Sequence, residues 1–182
     1  MRVISGSARG CVLQTAPGLG TRPTADRVKQ ALFNILMYDV QGKTVIDLFA
    51  GSGALGIEAL SRGAHFAWFV ERDKQALCAL EQNLAKTHLG DHAKILRGDA
   101  MQLLVRIDGK ADLVFLDPPY HQTLAQQAIE AIVKADLLAD GGIIVAETAA
   151  DEDIFDGFYD IKRYNLRKYG KIILNFYKKG ID

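Results

Sequence analysis

Residues Val45–Gly56, VIDLFAGSGALG, contain an apolar strand, a glycine turn and the start of a helix in direct succession. The glycines fit the pattern G-x-G-x-x-G, and an acidic residue, Glu71, ends the next apolar segment. This pattern is typical of parallel α/β sheets that bind a nucleotide-containing cofactor at the turn. Asp47 argues against a dinucleotide, because a carboxylate near the turn repels a pyrophosphate and attracts an ammonium or sulfonium group.

From Lys43 onward, apolar segments alternate with helical segments, which predicts a mostly parallel sheet covered by helices on both faces. The predicted strands are Thr44–Phe49, Phe66–Glu71, Ala93–Arg97, Asp112–Asp117 and Gly142–Glu147, and the predicted helices are Ala54–Ser61, Asp73–His88, Ala100–Val105 and Thr123–Ala135. Phe158–Arg163 and Lys171–Tyr177, around Tyr169-Gly170, predict an antiparallel C-terminal strand pair. The predicted fold class is therefore α/β and Rossmann-like, with a seven-stranded sheet.

The first 42 residues predict a basic extension of this sheet. Arg2–Ile4 and Cys11–Leu13 flank a Gly/Ser turn, which indicates a short β-hairpin or an extended arm. Thr24 is predicted to be the N-cap of a helix over Ala25–Tyr38. Because no linker or repeat interrupts the chain, we expect a single domain over residues 1–182, comprising the extension 1–42 and a core 43–182.

Asp117-Pro118-Pro119-Tyr120 directly follows a buried-strand pattern and predicts a rigid acceptor site for an amino group on a flat ring. Proline has no N–H, so the turn's carbonyl oxygens stay available as acceptors. Asp117 and the Pro118 carbonyl can accept the two amine hydrogens, and Tyr120 can stack on the ring. The structural alternative is a proline-rich turn in which Asp is a turn former.

Three acidic residues, Asp47, Glu71 and Asp99, lie at the C-terminal ends of three successive predicted strands, on the edge where α/β sheets bind ligands. This arrangement suits S-adenosyl-L-methionine, which carries two cations and no phosphate: Asp47 attracts its positive charge, Glu71 accepts its ribose hydroxyls and Asp99 accepts its adenine amine. In the alternative view, the glycines only permit a tight turn, Glu71 pairs with a surface base and Asp99 caps a helix. The predicted cofactor-binding residues are Arg22, Asp47, Phe49, Ala50, Gly51, Ser52, Gly53, Glu71, Arg72, Asp99 and Ala100.

The chain resembles class I methyltransferases over its sheet region and, more narrowly, the RsmD family of bacterial 16S rRNA guanine-N2 methyltransferases. The matching motifs are Arg2–Gly6 with Arg9-Gly10, Thr21–Lys29 with Leu32–Asn34, Asp47–Ala64, Asp117–Tyr120 and Tyr169-Gly170. Lys171-Ile172 departs mildly from the family's Thr-containing pattern.

The resemblance implies methyl transfer from S-adenosylmethionine to N2 of one guanine, the guanine-966 position of 16S rRNA in the small ribosomal subunit. It also implies that Arg22-Pro23-Thr24 folds over the methionine end of the cofactor, where Arg22 contacts the carboxylate. Simple helix initiation is the structural alternative for this segment. The predicted catalytic residues are Asp117, Pro118, Pro119 and Tyr120, and the predicted substrate-binding residues are Tyr120, Arg2, Arg9 and Arg27.

The formal net charge of zero combines basic ends with an acidic middle. Residues 1–44 have six basic and two acidic side chains, and residues 161–182 have seven and one, which leaves the middle at −10. This distribution suits a polyanion such as RNA, although solvated surface charges explain it equally well.

Cysteine and histidine spacings predict neither a disulfide nor a metal site. No apolar run suits a membrane span, and the N-terminus lacks the apolar core of a signal peptide. We therefore expect a cytoplasmic monomer without a metal.

Four other functions compete with rRNA methylation. The acceptor motif also fits adenine-N6 or cytosine-N4 DNA methyltransferases, which need additional protein to read a duplex. Protein glutamine methylation typically has Asn where this chain has Asp117. A dinucleotide oxidoreductase leaves the acceptor motif unexplained, and a non-catalytic RNA-binding assembly factor has no need for the complete set of acidic residues.

Overall fold

The computed structural model describes residues 1–15, 23–120, 123–152 and 154–180. The helices are α1 (Pro23–Ile35), α2 (Ala54–Ser61), α3 (Lys74–Thr87), α4 (Ala100–Leu103) and α5 (Leu124–Lys134), with 3₁₀ turns at Gly90–His92 and Leu104–Arg106. The strands are β1 (Thr44–Asp47), β2 (Phe66–Glu71), β3 (Ala93–Arg97), β4 (Ala111–Leu116), β5 (Leu138–Ala149), β6 (Gly157–Phe158), β7 (Ile161–Tyr169) and β8 (Ile172–Lys179).

The strands form one sheet in the order β3-β2-β1-β4-β5-β8-β7-β6. Strands β1 to β5 pair in parallel, and β8 joins β5 antiparallel with β7 and β6 beyond it. The carboxyl ends of β1, β2, β4 and β5 therefore share one edge. Because Ala149 pairs with Ile172, the turn between β7 and β8 lies at that edge too.

The described sheet has eight strands, so the predicted number of seven was wrong. The predicted strand Phe158–Arg163 contains a reversal, with Tyr159 in the left-handed region at φ 53°. Gly157–Phe158 folds back on Ile161–Lys162 as a short edge strand. A positive φ at tyrosine is unusual and has no composition signal, which explains the error.

Helix α1 begins at Pro23, so Thr24 lies inside the helix and its predicted N-cap role was wrong. Proline is well suited to the first helical position because its missing N–H has no intrahelical partner there. The helix also ends at Ile35, earlier than predicted.

The helices cover both faces of the sheet. Helices α1, α2 and α3 pack on one face together with Val3 and Leu13, while α4 and α5 pack on the other. On the first face, the rings of Phe33 (α1) and Phe115 (β4) lie 5.6 Å apart. The N-terminal segment and α1 thus share a hydrophobic cluster with the strands. None of the described helices combines the length and apolar character that crossing a bilayer requires.

The predicted N-terminal hairpin is present as an antiparallel bridge between Arg2 and Val12. Buried Glu58 on α2 holds it to the core by accepting hydrogen bonds from the Ile4 and Ser5 N–H groups at 2.8 and 3.1 Å. Glu58 also forms ion pairs with Lys29 at 3.1 Å and Arg62 at 2.8 Å. The extension is therefore joined to the sheet by both apolar packing and a compensated charge cluster.

Candidate active site

The carboxyl ends of the parallel strands bring most of the predicted acidic residues to one edge of the sheet. Asp47 and Glu71 end β1 and β2, and Asp117 directly follows β4. Asp99 lies two residues beyond β3. Glu147, which no sequence motif indicated, lies near the end of β5 at the same edge.

Asp47 is buried, with 1% of its surface exposed, and its Oδ2 accepts a hydrogen bond from the Gly56 N–H at 2.9 Å. Burial raises the pKa of Asp47 to about 7; the Gly56 bond opposes this shift and the nearby negative charge of Glu71 adds to it. No ion pair of Asp47 with lysine or arginine occurs within the described ranges. Asp47 is thus an incompletely compensated carboxyl group below the glycine turn.

Glu71 fastens the glycine turn to β2. Its Oε2 accepts from the Gly51 N–H at 2.7 Å, and its Oε1 accepts from the N–H groups of Arg72 and Asp73, each at 2.8 Å. Its partners are therefore backbone groups, not the surface base of the structural alternative. A carboxylate has about four acceptor positions, so these bonds leave capacity for hydroxyl groups.

The two glycines of the turn have different surroundings. Gly53 has φ 83°, a left-handed conformation that favours glycine, and a Cβ there would lie 2.3 Å from Leu80 Cδ1, so that side chain would have to move. Gly51 has φ 54°, but a Cβ there would meet nothing within 4 Å, so its outer side is open. Gly53 therefore meets the turn requirement, while the space beside Gly51 is available to a ligand.

The rest of the turn is held by backbone and side-chain contacts. Ala50 N–H donates to the Val70 carbonyl at 3.0 Å, and half-buried Phe49 packs against the cluster of the α4/α5 face. The Asn83 amide donates to the Ser52 carbonyl at 2.9 Å. Buried Asn83, which sequence reasoning missed, also bonds both backbone groups of Gln14. Its only sequence signal is an amide on the apolar face of α3.

Asp99 acts as the N-cap of α4. Its Oδ1 accepts from the Met101 and Gln102 N–H groups at 3.1 and 3.2 Å, and Ala100 behind it is buried. The capping alternative is thus observed for Oδ1. A role of Asp99 in binding adenine stays a prediction.

The acceptor segment leaves β4 with Pro118 buried and with Asp117, Pro119 and Tyr120 exposed. The Tyr120 hydroxyl donates to Glu147 Oε1 at 2.5 Å. Leu116 pairs with Ala146, so Asp117 and Glu147 follow at the same level on neighbouring strands. The motif therefore sits beside a second carboxyl group.

The carboxyl group of Asp117 is closely surrounded even though the residue reaches solvent. Desolvation, with repulsion from Glu147 and then Asp47, raises its pKa well above the usual aspartate value. Burial also raises the pKa of Glu147, and the Tyr120 bond opposes that shift. The three acids thus form a cluster that favours binding of positive charge or N–H donors.

The predicted RNA-contacting residues Arg2, Arg9 and Arg27 are exposed, as is Arg72. Arg22 lies outside the described residues. Across residues 1–15, 23–120, 123–152 and 154–180, no group of His, Cys, Asp and Glu is arranged to hold a metal.

The sheet order, the antiparallel C-terminal strands and the acidic carboxyl edge define a class I methyltransferase fold. The solved structure of the Escherichia coli protein yhhF shares it with a TM-score of 0.90 and 30% identity, covering 100% of this chain and 99% of that one. The family model described as conserved hypothetical protein 95 matches residues 1–178, so the chain belongs to this family, the RsmD family.

Two curated relatives agree with this assignment. Bacillus subtilis YlbH is 38% identical over 183 residues, which cover 98% of this chain and 99% of YlbH. The Escherichia coli K12 protein named ribosomal RNA small subunit methyltransferase D is 36% identical over 154 residues, which cover 85% of this chain and 77% of that protein.

Proposed function

We propose that this protein transfers a methyl group from S-adenosyl-L-methionine to the N2 amine of one guanine in small-subunit ribosomal RNA, at the guanine-966 position. The observation that carries the proposal is the acceptor segment Asp117–Tyr120 beside Glu147 and Asp47, at the carboxyl edge of a methyltransferase sheet. The relative named ribosomal RNA small subunit methyltransferase D supports the choice of rRNA.

The residues at the glycine turn fit the proposed cofactor. When bound, S-adenosylmethionine supplies a methyl group on a positively charged sulfonium. Asp47 suits that charge, because a cation nearby favours the ionised form of a carboxyl group whose pKa burial has raised. The open side of Gly51 provides room, and Glu71 and Asp99 provide oxygen acceptors for hydroxyl and amine groups.

The acceptor segment provides the geometry for amine methylation. Asp117 and the Pro118 carbonyl hold the two N2 hydrogens, so that the nitrogen lone pair faces the cofactor side of the site. Tyr120 supports the ring of a guanine that has left its stack. Ionised Asp117 stabilises the positive charge that develops on the nitrogen, so positioning and electrostatics account for most of the rate enhancement. The methylated ammonium is acidic and gives its proton to Asp117 or solvent.

Basic side chains at the same edge support an RNA substrate. Arg167, Lys168 and Lys171 are exposed at the turn between β7 and β8, whose register with β5 brings them near the level of Glu147. Lys179, at the opposite end of β8, instead lies within 3.1 to 3.9 Å of three acidic side chains. Phosphate groups beside the target base can therefore bind to the exposed cations at the turn.

The deciding experiment supplies the protein with S-adenosylmethionine labelled in its methyl group. The substrates are small ribosomal subunits from cells that lack the protein, with free rRNA and duplex DNA in parallel. Label in N2-methylguanosine at the expected position supports the proposal. Label in methyladenine or methylcytosine of DNA keeps the chemistry and overturns the substrate, while cofactor binding without transfer to any of the three substrates contradicts the proposal.

A further inference from the structure

Glu147 is the carboxylate of the site that has no role in the proposed binding of the cofactor or of the N2 amine. It lies on β5, at the level of Asp117 directly after β4, because the preceding residues Ala146 and Leu116 are paired. Residues at the same level of neighbouring parallel strands project from the same face of a sheet. The two side chains thus border the same acceptor site.

The Tyr120 hydroxyl fixes one oxygen of Glu147, since it donates to Oε1 at 2.5 Å. A carboxylate held by one oxygen presents its second oxygen in a defined direction and retains acceptor capacity there. Tyr120 is also the ring proposed to support the target base. The base plane and this second acceptor are therefore linked through one side chain.

We propose that Glu147 selects guanine by accepting a hydrogen bond from guanine N1–H, while Asp117 and the Pro118 carbonyl hold the N2 amine. This inference rests on the proposed function and assigns the base preference of the same site. It makes Glu147 a specificity-determining residue that contacts the substrate directly.

The chemistry of the bases gives the reason. In guanine, N1, one of the two ring nitrogens beside the N2 amine, carries a hydrogen, so the Watson–Crick edge presents adjacent N–H donors at N1 and N2. In adenine and cytosine, the ring nitrogen beside the exocyclic amine has a lone pair. A second carboxylate next to the amine acceptor therefore stabilises guanine and repels the other two bases, and an unpaired buried acceptor is a strong basis for rejection.

The test compares guanine with 2-aminopurine at the target position of an rRNA fragment. 2-Aminopurine keeps the N2 amine, but its N1 is an acceptor. We expect the wild-type protein to bind and methylate guanine better, and we expect Glu147→Gln to reduce that preference by about tenfold or more, because a glutamine amide can donate to N1. Glu147→Asp should retain the direction of the preference.

Equilibrium RNA binding and methyl transfer are both measured, so the comparison does not depend on turnover alone. Glu81→Gln, at an exposed acid paired with Arg97 on the remote edge strand, is the matched control and should leave the preference unchanged. A guanine preference that is equal in the wild type and Glu147→Gln overturns the inference and leaves the proposed function intact. Failure of the wild type to methylate guanine overturns both.

Discussion

Two sets of carboxyl groups in this protein differ in how their charge is balanced. On α2, Glu58 is fully buried and contacts Lys29, Arg62 and two backbone N–H groups. At the carboxyl edge of the sheet, desolvation raises the pKa of Asp47, Asp117 and Glu147. Repulsion from Glu147 and Asp47 raises the pKa of Asp117 further. Within the described ranges, none of these three forms an ion pair with lysine or arginine.

The difference separates a structural from a functional use of buried charge. A carboxylate with two cations and two N–H donors has its desolvation offset inside the fold, so it can join the N-terminal extension to α2. A carboxylate cluster without cations stays ready for an external ligand that brings positive charge or N–H groups. Substitution of Glu58 should therefore affect mainly the stability of the fold, and substitution of an acid at the carboxyl edge should affect mainly catalysis or ligand binding.

The largest expected effect is on stability and concerns Glu58, whose charge is balanced by Lys29 and Arg62. Glu58→Ala should lower the free energy of unfolding by about 3–5 kcal/mol, because two cations and two buried N–H groups lose their partner. Burial lowers the pKa of Lys29 while Glu58 opposes that shift, so the variant also favours neutral Lys29. Urea denaturation measures the change.

The control for Glu58 is Glu81→Ala, which removes an exposed ion pair with Arg97 and should change stability by less than about 1 kcal/mol. Equal effects of the two substitutions would contradict the distinction between compensated and solvated charge.

The next effect is on catalysis and concerns Asp117, one of the three acids at the carboxyl edge of the sheet. Asp117→Asn should reduce methyl transfer by about a hundredfold to a thousandfold, because the developing charge on the amine loses its stabilising carboxylate. Binding of S-adenosylmethionine should persist, as measured by calorimetry. Asp112→Asn, at the opposite end of β4 where Asp112 contacts Lys43 and the Thr44 N–H, should retain turnover. A non-catalytic RNA-binding protein would show no methyl transfer even as the wild type, and both variants would keep its RNA binding.

Much of the fold could be predicted because strands buried on both faces and amphipathic helices have clear periodicities. The bounds of α2 and β2 agree with the prediction, and Asp73 and His88 cap α3 at the predicted ends. The additional strand β6 depends on a left-handed tyrosine, and the start of α1 depends on a proline that replaced the expected cap. The left-handed Tyr159 has no composition signal, whereas Pro23 is a helix-start signal that the prediction of Thr24 as the N-cap did not use.

The site was only partly predictable, for a similar physical reason. Asp47 and Glu71 end strands, and Asp99 and Asp117 come just after strands. Because parallel strands bring their carboxyl ends to one edge, chain order was enough to group these four residues. Glu147 ends the predicted strand Gly142–Glu147, so the same rule could have placed it at this edge, although its position beside Asp117 depends on the pairing of β5 with β4. Asn83 belongs to the site because α3 packs against Ser52 and Gln14, and single-sequence patterns contain no information on those contacts.

An intermediate effect concerns Asp47 and pH. If ionised Asp47 attracts the cofactor, affinity for S-adenosylmethionine should rise with pH up to about 7, the pKa of Asp47, and then level off. Below that pH, the slope should approach about tenfold per unit. Asp47→Asn should remove the dependence, and calorimetric titrations at several pH values test this. A wild-type affinity that is independent of pH would exclude this role.

The same carboxyl group affects the stability of the ligand-free protein in the opposite direction. Its pKa is about 7 in the folded state, above the ordinary value of 3.8, so the folded protein binds this proton more tightly than the unfolded chain. Asp47 therefore lowers stability as pH rises from about 4 to about 7. Asp47→Asn should lack this component, which pH-dependent thermal denaturation measures relative to the wild type.

The smallest effect concerns Lys168 and Lys171, exposed cations at the turn between β7 and β8. Each phosphate contact on single-stranded RNA contributes about 0.7 to the slope of log affinity against log salt, so Lys168→Gln and Lys171→Gln should each reduce that slope by roughly this amount. Lys162→Gln, on an exposed residue at the far end of β7, is the matched control and should not change it. If the slope fell by the same amount in all three variants, general surface charge rather than the carboxyl edge would attract RNA. A reduction confined to Lys168 and Lys171 would mean that the edge combines uncompensated acids for the base and cofactor with exposed cations for the backbone.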